Sequence, residues 1–340
     1  METGGSRVGK RIVAQGIITR RVAGLLALGA AAPAMAQGDA TRILATFPPG
    51  AALDGVARLL ADGAARGTGA GDRPRGTVVV DNRAGANGNI AAGLLARAAP
   101  DGRTLLLAID TTFSLNPHLY ANPGFDPAVD VEPVAIAGTF PVALLVHPSA
   151  GITDLAALAR AARARPLLYA SAGSGSPGHL AMEFLRAALG LPPAAFEHVP
   201  FRGNAEAMTS LLAGQVPAGF IAVAGGADFV RDGRLRALAV SGPRRMEMLP
   251  DTPTVAESGH PAFDVRFAFV LMAPRGVPEE VRRDWAGLVA AVLAQPATRA
   301  RLAAWGVEPD AGGPAEAAAW IASAGERWGK VARDTGMRVG

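Results

Sequence analysis

Residues 169 to 186 read YASAGSGSPGHLAMEFLR. A β-rich run, 167 to 170, passes through Gly173 to Gly178, a literal G-x-G-x-x-G, into a run at helical spacing, 179 to 188. Strand, glycine loop and helix in that order make one unit of an α/β fold.

The same alternation extends in both directions. Strands are expected at 42–47, 77–81, 105–109, 142–146, 198–201, 218–223, 237–241 and 267–272. Helices are expected at 53–65, 90–98, 155–164, 205–213, 278–294, 298–305 and 315–334. A polar stretch ending in Asn116-Pro117 closes the third strand. At 340 residues the length favours two domains, yet no low-complexity linker separates them, so the backbone is expected to cross between domains more than once.

A dinucleotide fingerprint needs an acid at the end of the strand that follows its helix. Glu197 instead precedes the strand expected at 198–201, and Pro177 stands just before the last glycine. The helix cap offers a better account. Ser176 is a favoured N-cap residue, Pro177 fits the first helical position, and His179 falls on the first turn. Residues 175 to 178 would then present free backbone N–H groups, which together with the helix dipole suit an anion. Ser171, Ser174 and Ser176 add short hydroxyl donors. Two further strand-to-helix loops, FPPGAALD (47–54) and NRAGANGN (82–89), are equally rich in Gly and Pro. Three such loops at the carboxyl ends of strands build the crevice in which open α/β sheets bind ligands, and a small carboxylate held largely by backbone amides is the expected occupant.

Catalytic and metal patterns are weaker. No serine of the loop sits in G-x-S-x-G, because Ser174 is flanked by Ala172 and Ser176, and Ser176 by Ser174 and Gly178. His179 and Glu183 lie at i and i+4, which is read as a helix-surface hydrogen bond in the absence of a third ligand. His118, His147, His198 and His260 are scattered. Arg83 and Arg202 are candidates for a second carboxylate or for solvated roles. The acids Glu279 and Glu280 open a helix, where they favour the dipole.

Of 33 basic and 29 acidic residues, five and one lie before residue 37, which leaves 28 of each. That balance, without a basic stripe, argues against nucleic acid. The first 36 residues read as an export signal: Arg20-Arg21, an apolar run from Val22 to Ala32, and Ala34-Met35-Ala36 as a cleavage site. Twin-arginine and ordinary secretory export both fit. The absence of cysteine is compatible with an oxidising destination.

The residues also carry a recognisable pattern. FPPGAALDGVAR, VVVDNRAGANGNIAAGLLARAAPDGRTLL, NPHLY, SAGSGSPGHLAMEFL, HVPFRGNAEAMTSLLAGQV, LRALAVSGPRR, LPDTPTVAESGHPAF and LAAWGVEP follow one another along the chain. On these eight pieces the chain resembles the substrate-binding proteins of tripartite tricarboxylate transporters, the Bug family. The resemblance implies an α/β clamshell similar to type II periplasmic binding proteins, with two lobes, each a mixed β-sheet flanked by helices, and a chain that crosses between them twice. Residues 37–138 and 264–340 would form lobe 1 and residues 139–263 lobe 2. It further implies a periplasmic monomer that captures a small organic acid and passes it to integral-membrane permease subunits, with no catalysis, cofactor or metal.

Carried over by motif, the ligand-binding residues would be Phe47, Pro48, Pro49, Gly50, Ala51 and Asp54, then Thr111, Thr112 and Asn116. The second lobe would add Ser171, Gly173, Ser174, Ser176 and His179, then Phe201, Arg202 and Gly203. Asp54 is expected to orient its loop by accepting backbone N–H bonds. Family chains usually have two glycines at Gly50-Ala51, and often an acid where Pro217 stands, so contacts near Ala222 and Val223 are open. Two other outputs remain: a receptor read by a membrane sensor, and a hydrolase using Ser174 or Ser176 with His179, for which no orienting acid is evident.

Overall fold

The computed structural model describes residues 40–68, 76–223, 226–335 and 337–338. The expected export signal at 1–36 lies outside the described residues.

The described residues begin with β1 (Thr41–Ala45), α1 (Ala52–Arg66), β2 (Val78–Asn82), α2 (Asn89–Ala96) and β3 (Thr104–Ile109). β3 is TLLLAI, apolar at five of six positions and buried on both faces, and such a strand belongs inside a sheet. It lies between β1, which it pairs in parallel, and β10 (Arg266–Pro274), which it pairs antiparallel. Two short helices follow β3, α3 (Thr111–Ser114) and α4 (Asn116–Leu119), where the sequence suggested only a polar stretch. β4 (Val131–Pro141) and β11 (Glu308–Gly312) complete a six-stranded sheet of order β11-β4-β10-β3-β1-β2.

A second sheet has the order β7-β6-β8-β5-β9. Its strands and helices run β5 (Ala143–Val146), α5 (Leu155–Ala164), β6 (Leu167–Ser171), α6 (Pro177–Ala188) and β7 (Phe196–Pro200). They continue with α7 (Asn204–Leu212), β8 (Ala218–Ile221), α8 (Ala227–Arg231) and β9 (Arg236–Val240). β6 is parallel to β7 and β8, and β5 is antiparallel to β8 and β9, so both sheets are mixed. α9 (Glu279–Ala294), α10 (Pro296–Ala304) and α11 (Pro314–Thr335) return to the first sheet, where α9 and α11 pack on β4. Among the described residues no helix is long and apolar enough to cross a membrane.

The chain passes between the sheets twice, at Val142 and again between β9 and β10. Ser241, fully buried, ties the two passages together: its Oγ accepts the Val142 N–H (2.9 Å) and donates to the Val265 carbonyl (2.6 Å). Its own backbone bonds Val142 O and receives Val265 N–H.

Several expected boundaries are corrected. The strand read at 198–201 runs Phe196–Pro200, so Glu197 lies within it and is exposed, still not at its end. β4 was not expected because Pro133 and Gly138 interrupt its sequence; the sheet absorbs them through register shifts against β10 and a positive φ of 113° at Gly138. β11 reads EPDAG, with no apolar alternation, which an edge strand tolerates.

Candidate functional site

The three expected loops do follow β1, β2 and β6 at their carboxyl ends. In the first, Asp54 is 4% exposed and its carboxylate accepts the Gly50 N–H (2.9 Å), the Asn82 amide (2.9 Å) and Arg58 Nε (3.0 Å). Burial works against the charge, but the hydrogen bonds from Arg58, Gly50 and Asn82 outweigh it and hold the carboxyl below its usual range. Asn82 also donates to Phe47 O (2.9 Å), so a single acid–amide pair sets the course of 47–50. Pro48, Pro49 and Gly50 are exposed at its tip, while Phe47 and Ala51 are half-buried.

The second loop carries four successive positive φ angles, at Gly85, Ala86, Asn87 and Gly88. At Ala86 (46°) this left-handed backbone costs on the order of 1 kcal/mol, whereas Asn tolerates it better. Gly88 has no alternative: a Cβ there would lie 2.4 Å from Thr112 Oγ1 and 3.1 Å from Thr46 Cγ2. The loop is thereby seated on the segment after β3. Thr112 Oγ1 and Asn116 Nδ2 both donate to Asn87 O (3.0 Å each), and Asn116 Nδ2 reaches Asn89 Oδ1 (2.6 Å). Beneath them Asp110, fully buried, accepts the Ala268 N–H and Trp320 Nε1, fixing the β3–α3 junction to β10 and α11. Burial pushes its carboxyl up to about 6 against those bonds. Arg83 pairs with Asp81 at the surface.

The glycine loop differs from expectation in its donors. Ser176 is the N-cap and Pro177 opens α6, but the Ser176 hydroxyl makes no capping bond. The Gly175 N–H is accepted by His179 Nδ1 (3.0 Å) and the Ser176 N–H by Gly173 O (3.1 Å), so neither is free. With Pro177 lacking a donor, the amides of Gly178 and His179 are those left without an acceptor among the described residues. The glycines have separate causes: Gly173 (126°) and Gly175 (78°) need positive φ, whereas Gly178 lies against β8, where a Cβ would meet Phe220 O at 2.1 Å.

The expected His179–Glu183 surface bond is absent. His179 is 8% exposed and stacks on His198 (centroids 3.9 Å apart), which stacks in turn on Tyr169; Glu183 pairs instead with Arg186. Burial, then the neighbouring imidazole, lowers His179 to about 3, and burial lowers His198 to about 4, so both rings are neutral near pH 7. A serine–histidine pair does exist, at Ser171 Oγ and His198 Nε2 (2.7 Å), not at Ser174 or Ser176 with His179. Ser171 is fully buried and no carboxylate among the described residues bonds either ring, so the pair lacks both access and an orienting acid. No group of three potential metal ligands occurs among the described residues.

From the remaining segment, Phe201 N–H bonds Ser171 O (3.0 Å), Arg202 N–H bonds Glu206 (3.1 Å), and Gly203 precedes α7 with φ 142°. The Arg202 side chain is exposed. Asn204 closes the end of β8 by exchanging two hydrogen bonds with Ala222.

The sheets' loops meet at Asn87, a residue the sequence reading passed over: Asn87 Nδ2 donates to Asn116 Oδ1 (2.8 Å) on its own side and to Gly175 O (3.2 Å) on the other. Near this contact lie Ser176 Oγ, next to Gly175 in the chain, and Thr46 Oγ1, beside Gly88; these and Thr111 Oγ1 are buried hydroxyls with no hydrogen-bond partner among the described residues. Thr46 was likewise not anticipated. The only sequence signal for Asn87 was an amide side chain set between glycines in a loop. A separate cavity of about 770 Å³ lies beside the two crossings, lined by Pro141, Arg244, Met246, Met248, Arg266 and Arg299. Arg244 and Arg266 are already paired with Glu308 and Asp264, and the cavity contains none of the loop donors.

Residues 56–337 match the model of the tripartite tricarboxylate transporter family receptor. The chain belongs to that receptor family. Among curated proteins of similar sequence, Protein BugT of Bordetella pertussis is 32% identical over 317 residues, 92% of this chain and 94% of BugT. Among solved structures, Rhodopseudomonas palustris Rpa4515, determined with adipate, superposes with a TM-score of 0.79 at 31% identity, covering 89% of this chain and 99% of that one. MatC of the same organism, determined with bound malate, gives 0.74 at 28%, covering 86% and 98%. The fold of this receptor is accordingly the two-lobed periplasmic-binding-protein clamshell, one mixed sheet per lobe.

Proposed function

We propose that the chain is a periplasmic receptor that captures a small organic carboxylate between its lobes, residues 37–138 with 264–340 on one side and 139–263 on the other, and delivers it to a membrane permease. The observation that carries this reading is the set of donors left without protein acceptors on both sides of the Asn87–Gly175 contact: Thr46, Thr111, Ser176 and the first-turn amides of α6. Buried hydroxyls and helix amides are costly to leave unpaired, and a carboxylate offers them about four acceptor sites on its two oxygens. Charge-assisted bonds to such donors strengthen as the lobes close and exclude water. The adipate and malate found with two relatives are of that chemical class. In this reading residues 1–36 direct export, and the loops 47–54, 111–116, 171–179 and 201–203 surround the ligand.

Thermal unfolding against adipate, malate and other organic acids, with a nicotinamide dinucleotide alongside, tests the assignment. A ligand at 100 times its dissociation constant adds about 2.7 kcal/mol to the folded state. Stabilisation by one acid class supports the reading; a response to the dinucleotide alone refutes it.

A further inference from the structure

The loop after β2 joins the two lobes. Asn87 Nδ2 reaches Gly175 O at 3.2 Å, and a Cβ built on Gly175 would stand 3.1 Å from the same nitrogen and 2.9 Å from Leu119 Cδ1. Gly175 is therefore gripped from both lobes: its N–H by His179 Nδ1 within lobe 2, its carbonyl by Asn87 from lobe 1. Asn87 is itself immobilised, its backbone carbonyl accepting from Thr112 and Asn116 and its side-chain amide shared with Asn116 Oδ1. Its left-handed backbone (φ 50°) directs a short amide across the gap, a conformation that Asn adopts with little strain.

We propose that Asn87 is a positioning residue of the ligand site: it clasps the glycine loop from the opposite lobe, so that closing the lobes and placing the loop's amides are one event. The bond to Gly175 exists only when the lobes are together, and both of its partners belong to the protein. It therefore adds to affinity by prolonging the closed state, without touching the carboxylate. A single neutral hydrogen bond shifts such an equilibrium by about two- to tenfold.

This inference rests on the carboxylate reading for its purpose, but it can be judged without any ligand. The chain contains no cysteine, so paired spin labels at Leu94→Cys on α2 and Ala205→Cys on α7, both exposed, report the distance between lobes. In the ligand-free protein a closed population is expected. Asn87→Gly, which suits the positive φ, should lower the closed-to-open ratio by about two- to tenfold while leaving the melting temperature near that of the parent. Asn87→Asp places acceptors against Gly175 O and Asn116 Oδ1 and should lower it further. Adipate, used as the probe, should then leave the neutral Asn87→Gly variant faster by the same factor, with its association rate unchanged. A ligand-free protein with no closed population, a ratio unmoved by both substitutions, or a loss of melting temperature without a change in ratio overturns the clasp. A parent protein that binds no carboxylate, yet shows the ratio change, counts against the ligand assignment alone.

Discussion

Gly178→Ala is the most demanding single-methyl test of the glycine loop. Gly178 is the second residue of α6 and its φ is not left-handed, so alanine meets no backbone penalty there, only a steric one. The new Cβ would lie 2.1 Å from Phe220 O, 3.2 Å from Phe220 C and 3.5 Å from Ser171 Cβ. Phe220 belongs to β8, held between β6 and β5, and cannot retreat. Relief must come from α6, whose first turn has to withdraw by about 1 Å, an overpacking that costs about 1–3 kcal/mol. On the proposed placement of the ligand, the same movement pulls the Gly178 and His179 amides away from the carboxylate. Losing one charge-assisted bond of about 1.5–3 kcal/mol weakens affinity by roughly ten- to a hundredfold. Calorimetric titration with adipate and malate, paired with thermal melts, measures both terms. A variant that melts with its parent and binds with unchanged affinity would show that the α6 amides do not face the ligand, and the placement of the carboxylate there would have to be abandoned.

Other expectations follow from particular groups. Thr111→Val removes a buried hydroxyl that has no partner among the described residues, so the melting temperature should hold or rise while carboxylate affinity falls about tenfold; a fall in stability with intact binding counts against its role. Ser241→Ala strips the acceptor from Val142 N–H and the donor from Val265 O, and should cost about 1–3 kcal/mol in denaturant unfolding; a neutral result would mean that water replaces both bonds. The stacked histidines titrate near 3 and 4 in the folded chain but near 6.5 when unfolded, so the unfolded chain binds more protons below pH 6.5. Their contribution to stability is complete above that value and declines as the pH falls toward 4. His198→Phe, which keeps a ring on the stack, should flatten that decline in melts between pH 7 and 4, and an unchanged slope would place the acid sensitivity elsewhere.

Most of the architecture is legible in the sequence because its signals are local. The apolar strands of the parallel segments, the helical spacing and the glycine-rich loops each announce themselves within a dozen residues. β4 and β11 escaped because their strand character is conferred by neighbours: β10 pairs with a Pro- and Gly-broken segment, and an edge accepts EPDAG. The site divides along the same line. Asp54 and the loop glycines are local motifs, but the fate of each donor depends on distant partners. Nothing within 171–179 reveals that His198 will press on His179, or that His179 will consume the Gly175 amide the cap had promised. Thr46 becomes significant only because Gly88 and Thr112 pack beside it from separate segments.

The seryl tie at residue 241 gives the molecule a mechanical character. Two strands passing side by side could twist independently and let the lobes roll as well as swing. Stapled to each other through one hydroxyl and two backbone bonds, they offer a single axle. Motion about one axle has one coordinate, the angle between the lobes. The state of the receptor is thereby expressed as a single angle.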